Sequence, residues 1–120
     1  MDGSNARVEV RCPGSAPFLR LARLATADAG GRAGLSVDEI EDLRIAVSEL
    51  CALVGGADVE LTLVFTTTAG GVEVEGTGGP GLPDGENAEM AQALVAAVVD
   101  EHHIRVDPTH TSFRVVKRAR

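Results

Sequence analysis

The sequence predicts a two-layer α+β fold, in which three amphipathic helices cover one face of a mainly antiparallel sheet of four or five strands. Stretches with apolar residues at every second position indicate strands, and stretches with an apolar period near 3.6 residues indicate helices. Their order is strand, two helices, two strands, a helix and two strands. With 120 residues, the chain is expected to form one domain over residues 1–120.

The chain begins with a predicted strand and a predicted helix. Residues 7–12 alternate charged and apolar side chains, which is typical of a half-buried strand. Ser15 is expected to cap the helix that follows, and the glycine-rich segment 29–34 is expected to end it. The expected buried stripe of this helix consists of apolar residues at helical spacing: Phe18, Leu21, Leu24 and Ala25.

The second helix has the clearest pattern in the chain. Ser36 and Glu39 have the spacing of a capping box, and acidic residues in the first turn suit the positive end of the helix dipole. The helix is expected to end at Gly55-Gly56. Its buried stripe is predicted at Ile40, Leu43, Val47, Leu50 and Val54.

The second half of the chain predicts two hairpins separated by a helix. Residues 58–68 and 71–76 are strands on either side of a glycine turn, and residues 103–106 and 111–117 form the last hairpin around Pro108. The helix between the hairpins spans residues 87–100. Its expected buried face consists of Met90, Leu94 and either Ala97 or Val98.

Composition excludes several classes of partner. The formal net charge of −7 and the low content of aromatic residues argue against binding to nucleic acid or to anionic lipid. The basic cluster Lys117, Arg118 and Arg120 is expected to be a solvated tail. No stretch of about 18 apolar residues is present and residues 1–15 have no apolar run, so neither a membrane span nor a signal peptide is expected. We therefore expect a cytoplasmic location.

Three local patterns have both a functional and a structural interpretation. The glycine-rich run 76–81 is a candidate phosphate cradle, although it lacks the spacing of known nucleotide motifs and such runs usually mark turns. His102 and His103 are candidate metal ligands with His110 nearby, but neighbours on a strand point to opposite faces, so no metal site is expected. Cys51 is expected to be buried packing.

Arg20 and Arg23 are the candidate docking residues. They are three positions apart and therefore share one face of the first helix. Arginine is enriched at the centre of protein interfaces, where its planar group pairs with carboxylates. The alternative is that both arginines are ordinary solvated charges.

Longer phrases of the sequence resemble a known family. The phrase "DEIEDLRIAVSELC", preceded by "PFLRLARL" and a strand, is similar to the anti-sigma regulatory factors of the RsbW and SpoIIAB type. These are serine kinases on the Bergerat (histidine-kinase-like) ATPase fold. The likeness runs from about Arg7 to Lys117 and includes both hairpins.

The resemblance implies a degenerate nucleotide site. Glu49 matches the glutamate that acts as general base in the family, but the magnesium-binding asparagine four residues later is Leu53 here. Gly76 stands at the position where the family has an aspartate that binds the adenine amino group. Gly78 matches one of the glycines that follow this aspartate in the family. The segment that forms a long lid in the family is short in this sequence. The second glycine motif of the family is replaced at residues 89–91 by Glu, Met and Ala. Glu49 is therefore interpreted as a relic, and no cofactor is expected.

The resemblance also implies partners, because the first helix of the family docks a sigma factor and a STAS-domain anti-anti-sigma protein. Arg20 falls on an important arginine of that helix, with Leu19 and Arg23 beside it. The first hypothesis is a non-catalytic regulator of transcription. The alternative is an active serine kinase that uses Mg-ATP to phosphorylate a STAS partner, and a metal-binding domain is the third. Whether the chain forms a homodimer is left open.

Overall fold

The computed structural model describes residues 6–81 and 85–120. These residues contain five strands and three helices. A short 3-10 turn at Ala16–Phe18 precedes the first helix. The elements in chain order are β1 (Arg7–Pro13), α1 (Leu19–Arg32), α2 (Val37–Val54), β2 (Glu60–Thr68), β3 (Gly71–Thr77), α3 (Glu86–Val98), β4 (Glu101–Val106) and β5 (Thr111–Arg118). This order is the one predicted from the sequence.

The strands form one antiparallel sheet in the order β1-β2-β3-β5-β4. Buried residues alternate along β2, β3 and β5, and the helices cover the face to which these residues point. The prediction of a two-layer α+β fold with an antiparallel sheet is confirmed. Gly70 closes the β2–β3 hairpin with a φ of 82°, a conformation that glycine adopts without steric cost.

α2 lies at the centre of the helical layer and matches its prediction closely. The Ser36 side chain accepts from the Glu39 N–H at 3.1 Å, and the Glu39 carboxylate accepts from the Ser36 N–H at 2.8 Å. Leu43, Val47 and Leu50 are fully buried. The capping box and the stripe thus fix where α2 begins and which of its faces meets the sheet.

α1 ends within the predicted segment 29–34 but differs from its prediction in its buried face. The helix continues through Gly30, because this glycine lies under Ile40 of α2; a Cβ there would be 2.8 Å from Ile40 Cγ1. Its last residue is Arg32, and Gly34, whose φ is 82°, follows the C-cap residue Ala33 as in a Schellman motif. The buried residues are small ones at helical spacing: Ala22, Thr26, Ala29 and Gly30.

The larger residues of the predicted apolar faces of α1 and α3 were therefore assigned wrongly, whereas Ala25 and Val98 pack against the core as predicted. Phe18, Leu21 and Leu24 are exposed around the first helix, and Met90 and Leu94 are exposed on α3. The residues of α3 that are buried are Ala88, Ala91 and Val95. In both helices the residues that face the core are smaller than those predicted to do so, because a helix can approach its neighbours closely only where its side chains are short.

The C-terminal basic residues are not a solvated tail, which corrects a further prediction. Lys117 is buried on β5, where its ammonium donates to the Asp42 carboxylate at 3.2 Å and to the Val98 carbonyl at 2.8 Å. The Arg118 N–H donates to Asp100 at 2.7 Å. The end of the chain therefore ties α2 and α3 to the sheet.

Within residues 6–81 and 85–120, no helix has the length and apolar character needed to cross a membrane.

Candidate functional site

Glu49 and Leu53 lie one turn apart on α2. Glu49 is half-buried and lines a cavity of about 160 Å³ together with Arg23 of α1. Within the described residues, no hydrogen bond or ion pair engages the Glu49 carboxylate. Leu53 is half-buried and packs against the core, and its aliphatic side chain offers no oxygen ligand to a hard cation such as magnesium.

Gly76 lies on the helix-facing side of β3, opposite Phe113 of β5. A Cβ at Gly76 would overlap the Phe113 ring and would come within 2.9 Å of Leu63 Cδ2. The space that an aspartate side chain would need at this position is thus filled by an aromatic ring. Close approach of a neighbouring side chain is one reason for glycine within a strand.

Gly78 and Gly79 use their backbone N–H groups inside the fold. The Gly78 N–H donates to the Thr111 carbonyl at 2.9 Å, and the Gly79 N–H donates to the Val54 carbonyl at 2.8 Å. The buried Thr111 hydroxyl in turn donates to the Gly81 carbonyl at 2.9 Å. A phosphate cradle depends on free N–H groups, and these two already have acceptors. The part of the predicted loop at residues 82–84 lies outside the described residues.

The predicted docking residues Arg20 and Arg23 lie on α1, where Arg20 is exposed and Arg23 is half-buried. Neither guanidinium forms an ion pair within the described residues. Leu19, the third predicted docking residue, is half-buried and packs against the core instead of lying on the exposed face.

Three apolar residues that were predicted to lie in the core are exposed close in sequence to Arg20. Phe18, Leu21 and Leu24 are 39, 47 and 61% exposed. We refer to Phe18, Arg20, Leu21 and Leu24 together as the α1 surface. The spacing of Ala22, Thr26 and Ala29 was the signal that could have revealed it, because small residues at i, i+4 and i+7 indicate a closely packed face.

The two cysteines belong to the core. Burial raises the pKa of the Cys51 thiol to about 12, and the proximity of Cys12 adds to this. Burial likewise raises the pKa of Cys12. Because the thiolate is the reactive form, neither residue has the character of a nucleophile.

The histidines are separated by the sheet. The β4–β5 register places His102 opposite Val115 and His103 opposite Arg114, so the two rings belong to opposite faces, as predicted. His110 lies in the turn, with Nδ1 at 3.0 Å from the Thr109 hydroxyl. Among residues 6–81 and 85–120, no group of three or more histidine, cysteine or acidic side chains is placed to hold a metal ion.

Comparison with known proteins gives a consistent result in sequence and in structure. No protein-family profile matches the chain. The serine-protein kinase RsbW of Bacillus cereus strain B4264 is 39% identical over 64 residues, which cover 49% of this chain and 40% of that relative. RsbW of Bacillus thuringiensis strain Al Hakam is 38% identical over 45 residues, or 38% of this chain and 28% of the relative.

Among solved structures, the crystal structure of the RsbU and RsbW domains of a Mycobacterium tuberculosis protein superposes with a TM-score of 0.71. The match covers 94% of this chain and 32% of that chain, at 16% identity. The resemblance to the RsbW-type family is confirmed. This chain shares its fold with the RsbW domain of that structure. Its sequence matches span less than half the length of the curated relatives.

Proposed function

We propose that this RsbW-like protein is a cytoplasmic, non-catalytic regulator of transcription that acts by docking through α1 onto a sigma factor or a STAS-domain anti-anti-sigma protein. The observation that carries the proposal is the α1 surface, which combines three exposed, large apolar side chains with an exposed arginine that has no ion-pair partner in the described chain. Elsewhere in the described chain, several other arginines and Lys117 pair with carboxylates.

The composition of this surface is that of a binding site. A cluster of exposed, large apolar residues on a helix and the turn before it is unusual and is typical of protein interaction sites. Arginine beside such residues is the side chain most often found at interface centres, together with tryptophan and tyrosine. Phe18, Leu21 and Leu24 would supply apolar contact area, and Arg20 would supply a directed, bidentate interaction with a carboxylate.

Three features of the region that the resemblance assigns to nucleotide support the non-catalytic part of the proposal. Leu53 offers no metal ligand, Phe113 fills the space beside Gly76, and the N–H groups of Gly78 and Gly79 have backbone acceptors. Glu49 is then a carboxylate without a metal or phosphate to act on. We therefore propose that the protein functions without ATP or magnesium.

The test begins with affinity purification from the native cell and mass-spectrometric identification of the partner. Recovery of a sigma factor or a STAS-domain protein supports the proposal only if the purified pair then binds directly. Arg20→Ala should weaken that binding at least about tenfold and leave the melting temperature unchanged, because Arg20 is exposed and makes no ion pair.

Two further variants sharpen the test. Arg20→Lys should not restore full affinity, because lysine lacks the planar bidentate group. Arg32→Ala is the matched control, since this arginine ends the same helix and pairs with Asp28 at 2.9 Å. Equal partner affinities of the wild type and Arg20→Ala would rule out the proposal that the protein docks through the α1 surface.

A further inference from the structure

β4 (Glu101–Val106) is a regular and exposed edge of the sheet. Each of its residues is paired with β5 on one side, and within residues 6–81 and 85–120 no strand lies on its other side. The strand contains no proline, glycine or lysine, and all of its residues except Ile104 are exposed. Proteins usually protect such an edge with a proline, a bulge or a covering element, because its free N–H and C=O groups can pair with another strand.

β1, the opposite edge of the sheet, is less available for strand pairing. It ends in Pro13, which has no N–H to donate. Its outward charges are already paired within the strand, since Arg11 Nε lies 2.8 Å from Glu9 Oε2. On β4, by contrast, Arg105 forms no ion pair within the described residues. The free edge that remains open to a further strand is therefore β4.

The charged side chains of β4 lie on one face of the sheet. Ile104 pairs with Phe113 of the core and therefore points towards the helices. Because side chains alternate along a strand, Glu101, His103 and Arg105 point to the opposite face. The order of these residues along the strand is acidic, imidazole and basic, so the strand becomes complementary to itself when its direction is reversed.

The charge pattern selects one register for such a self-pairing. In an antiparallel pair centred on His103, Glu101 of each copy lies opposite Arg105 of the other copy. Opposite charges directly across two antiparallel strands are stabilising, and like charges are destabilising. A pair centred on Ile104 would instead place Glu101 opposite Asp107, which are two like charges.

The Glu101 carboxylate is held on the outer face by its own chain. Its Oε1 accepts from Arg114 Nη1 at 3.3 Å, and its Oε2 accepts from Arg118. A carboxylate has about four acceptor sites, so these two bonds leave capacity for a third guanidinium. The acceptor for Arg105 of a second copy is therefore already oriented in the single chain.

We propose that the partner of β4 is a second copy of this chain, paired across a two-fold axis at His103 so that the two sheets join into one. The helices of both copies then lie on the same side of the joined sheet. α1 packs against β1 and β2 at the other end of the sheet, so the α1 surfaces of both copies stay exposed. The dimer does not depend on the proposed docking function.

Charge reversal tests the register in solution. Sedimentation equilibrium should show a monomer–dimer equilibrium of the wild type, and Arg105→Glu should weaken dimerisation at least about tenfold, because it places two carboxylates opposite each other. Glu101→Arg should weaken it as well. An equimolar mixture of the two variants should form a heterodimer with about wild-type affinity, since each arginine then faces a glutamate again. Arg7→Glu, the same reversal on exposed β1, is the matched control and should leave dimerisation unchanged.

Disulfide trapping tests the axis without altering these charge pairs. A residue on the axis meets its own copy at a Cα–Cα distance of about 4.5–5.5 Å, which a disulfide can bridge. His103→Cys should therefore form a covalent dimer on oxidation with diamide, whereas the wild type should not, because Cys12 and Cys51 are buried.

Arg105→Cys is the control for trapping, since the two copies of this position are about 13 Å apart in the proposed register. It should form a covalent dimer only when it is mixed with Glu101→Cys. A wild type that sediments as a monomer at every concentration would overturn the proposal. So would a dimer that neither charge reversal weakens, or one that crosslinks through Arg105→Cys alone and not through His103→Cys.

Discussion

The ring of Phe113 occupies the space on the helix-facing side of Gly76, the residue with which it pairs across β3 and β5. This contact gives Gly76 a role in packing. Any side chain at this position must displace the ring or bend the strand. The nucleotide-binding interpretation of Gly76 stays a prediction, and the contact with Phe113 supplies a structural reason for glycine at the same position.

Gly76→Ala should lower the free energy of unfolding by about 1–3 kcal/mol, the usual cost of forcing extra atoms into a packed core. Gly76→Asp should cost more, because it also buries a carboxylate. Urea unfolding measures both. Gly31→Ala is the control: this glycine is on α1 with open space around it, and alanine should stabilise the helix by about 0.5–1 kcal/mol. Wild-type stability of Gly76→Ala would mean that Phe113 moves freely.

Mg-ATP should not bind to the protein with a dissociation constant tighter than about 1 mM, because Leu53 offers no metal ligand and the N–H groups of Gly78 and Gly79 are already engaged. Isothermal titration calorimetry checks this, with the RsbW kinase of Bacillus cereus strain B4264 as the positive control. Phosphorylation of a STAS protein that Glu49→Ala abolishes would establish the kinase alternative instead.

Leu53→Ala should cost about 1–2 kcal/mol, less than a fully buried leucine, because Leu53 packs against the core but remains half-exposed. Leu50→Ala, one turn away and fully buried, should cost about 2–5 kcal/mol. Thermal or urea unfolding compares the two. An effect of Leu53→Ala near zero would indicate that an open pocket persists beside α2.

Lys117→Ala should destabilise the fold by about 1–3 kcal/mol, because it leaves the Val98 carbonyl and the Asp42 carboxylate without their shared donor. Lys117→Met should recover part of this loss by keeping the apolar stem that lies in the core. Arg32→Ala, which removes an exposed ion pair, should change stability by no more than about 0.5 kcal/mol. Chemical denaturation measures the free energy of unfolding of the three variants and distinguishes a buried, hydrogen-bonded lysine from a solvated charge.

Acid should loosen the C-terminal end of the fold. The pKa of Asp100 is lowered mainly by the hydrogen bond from the Arg118 N–H, and the pKa of Glu39 is lowered mainly by the Ser36 N–H. A folded-state pKa below the unfolded value means that this stability is complete above the unfolded pKa, about 4 for both groups. It is lost as the pH falls from there through the folded-state pKa.

Asp100→Asn should therefore flatten the dependence of the melting temperature on pH below about pH 4 and have little effect on its slope near neutrality. Asp107→Asn is the control variant. The pKa of Asp107 is also lowered, by hydrogen bonds from Thr109 within its own turn, so it should flatten the profile without loosening Arg118. The exchange of the Arg118 amide hydrogen should accelerate in Asp100→Asn alone. An unchanged pH profile of Asp100→Asn would show that Asp100 has the same pKa in both states.

Local sequence patterns were sufficient to predict an element when the residues that determine it are close together in the sequence. The capping box of Ser36 and Glu39, the wide stripe of α2 and the two-residue period of the strands depend on neighbours within one turn or one pleat. They correctly placed α2, both hairpins and the order of the elements. The resemblance then indicated the fold and the candidate docking helix, because the phrases that carry it lie in α1 and α2.

The choice of buried face on α1 and α3 was decided only by the tertiary structure. Periodicity identifies every helix face that carries apolar residues, and the larger side chains were predicted to lie in the core. Close packing of α1 instead buries the small residues Ala22, Thr26 and Ala29. Phe18, Leu21 and Leu24 remain exposed. Lys117 was likewise assigned to a tail because its partners Asp42 and Val98 are distant in sequence. Short-range patterns determine which elements form, whereas the distances between elements determine which side chains remain free to bind a partner.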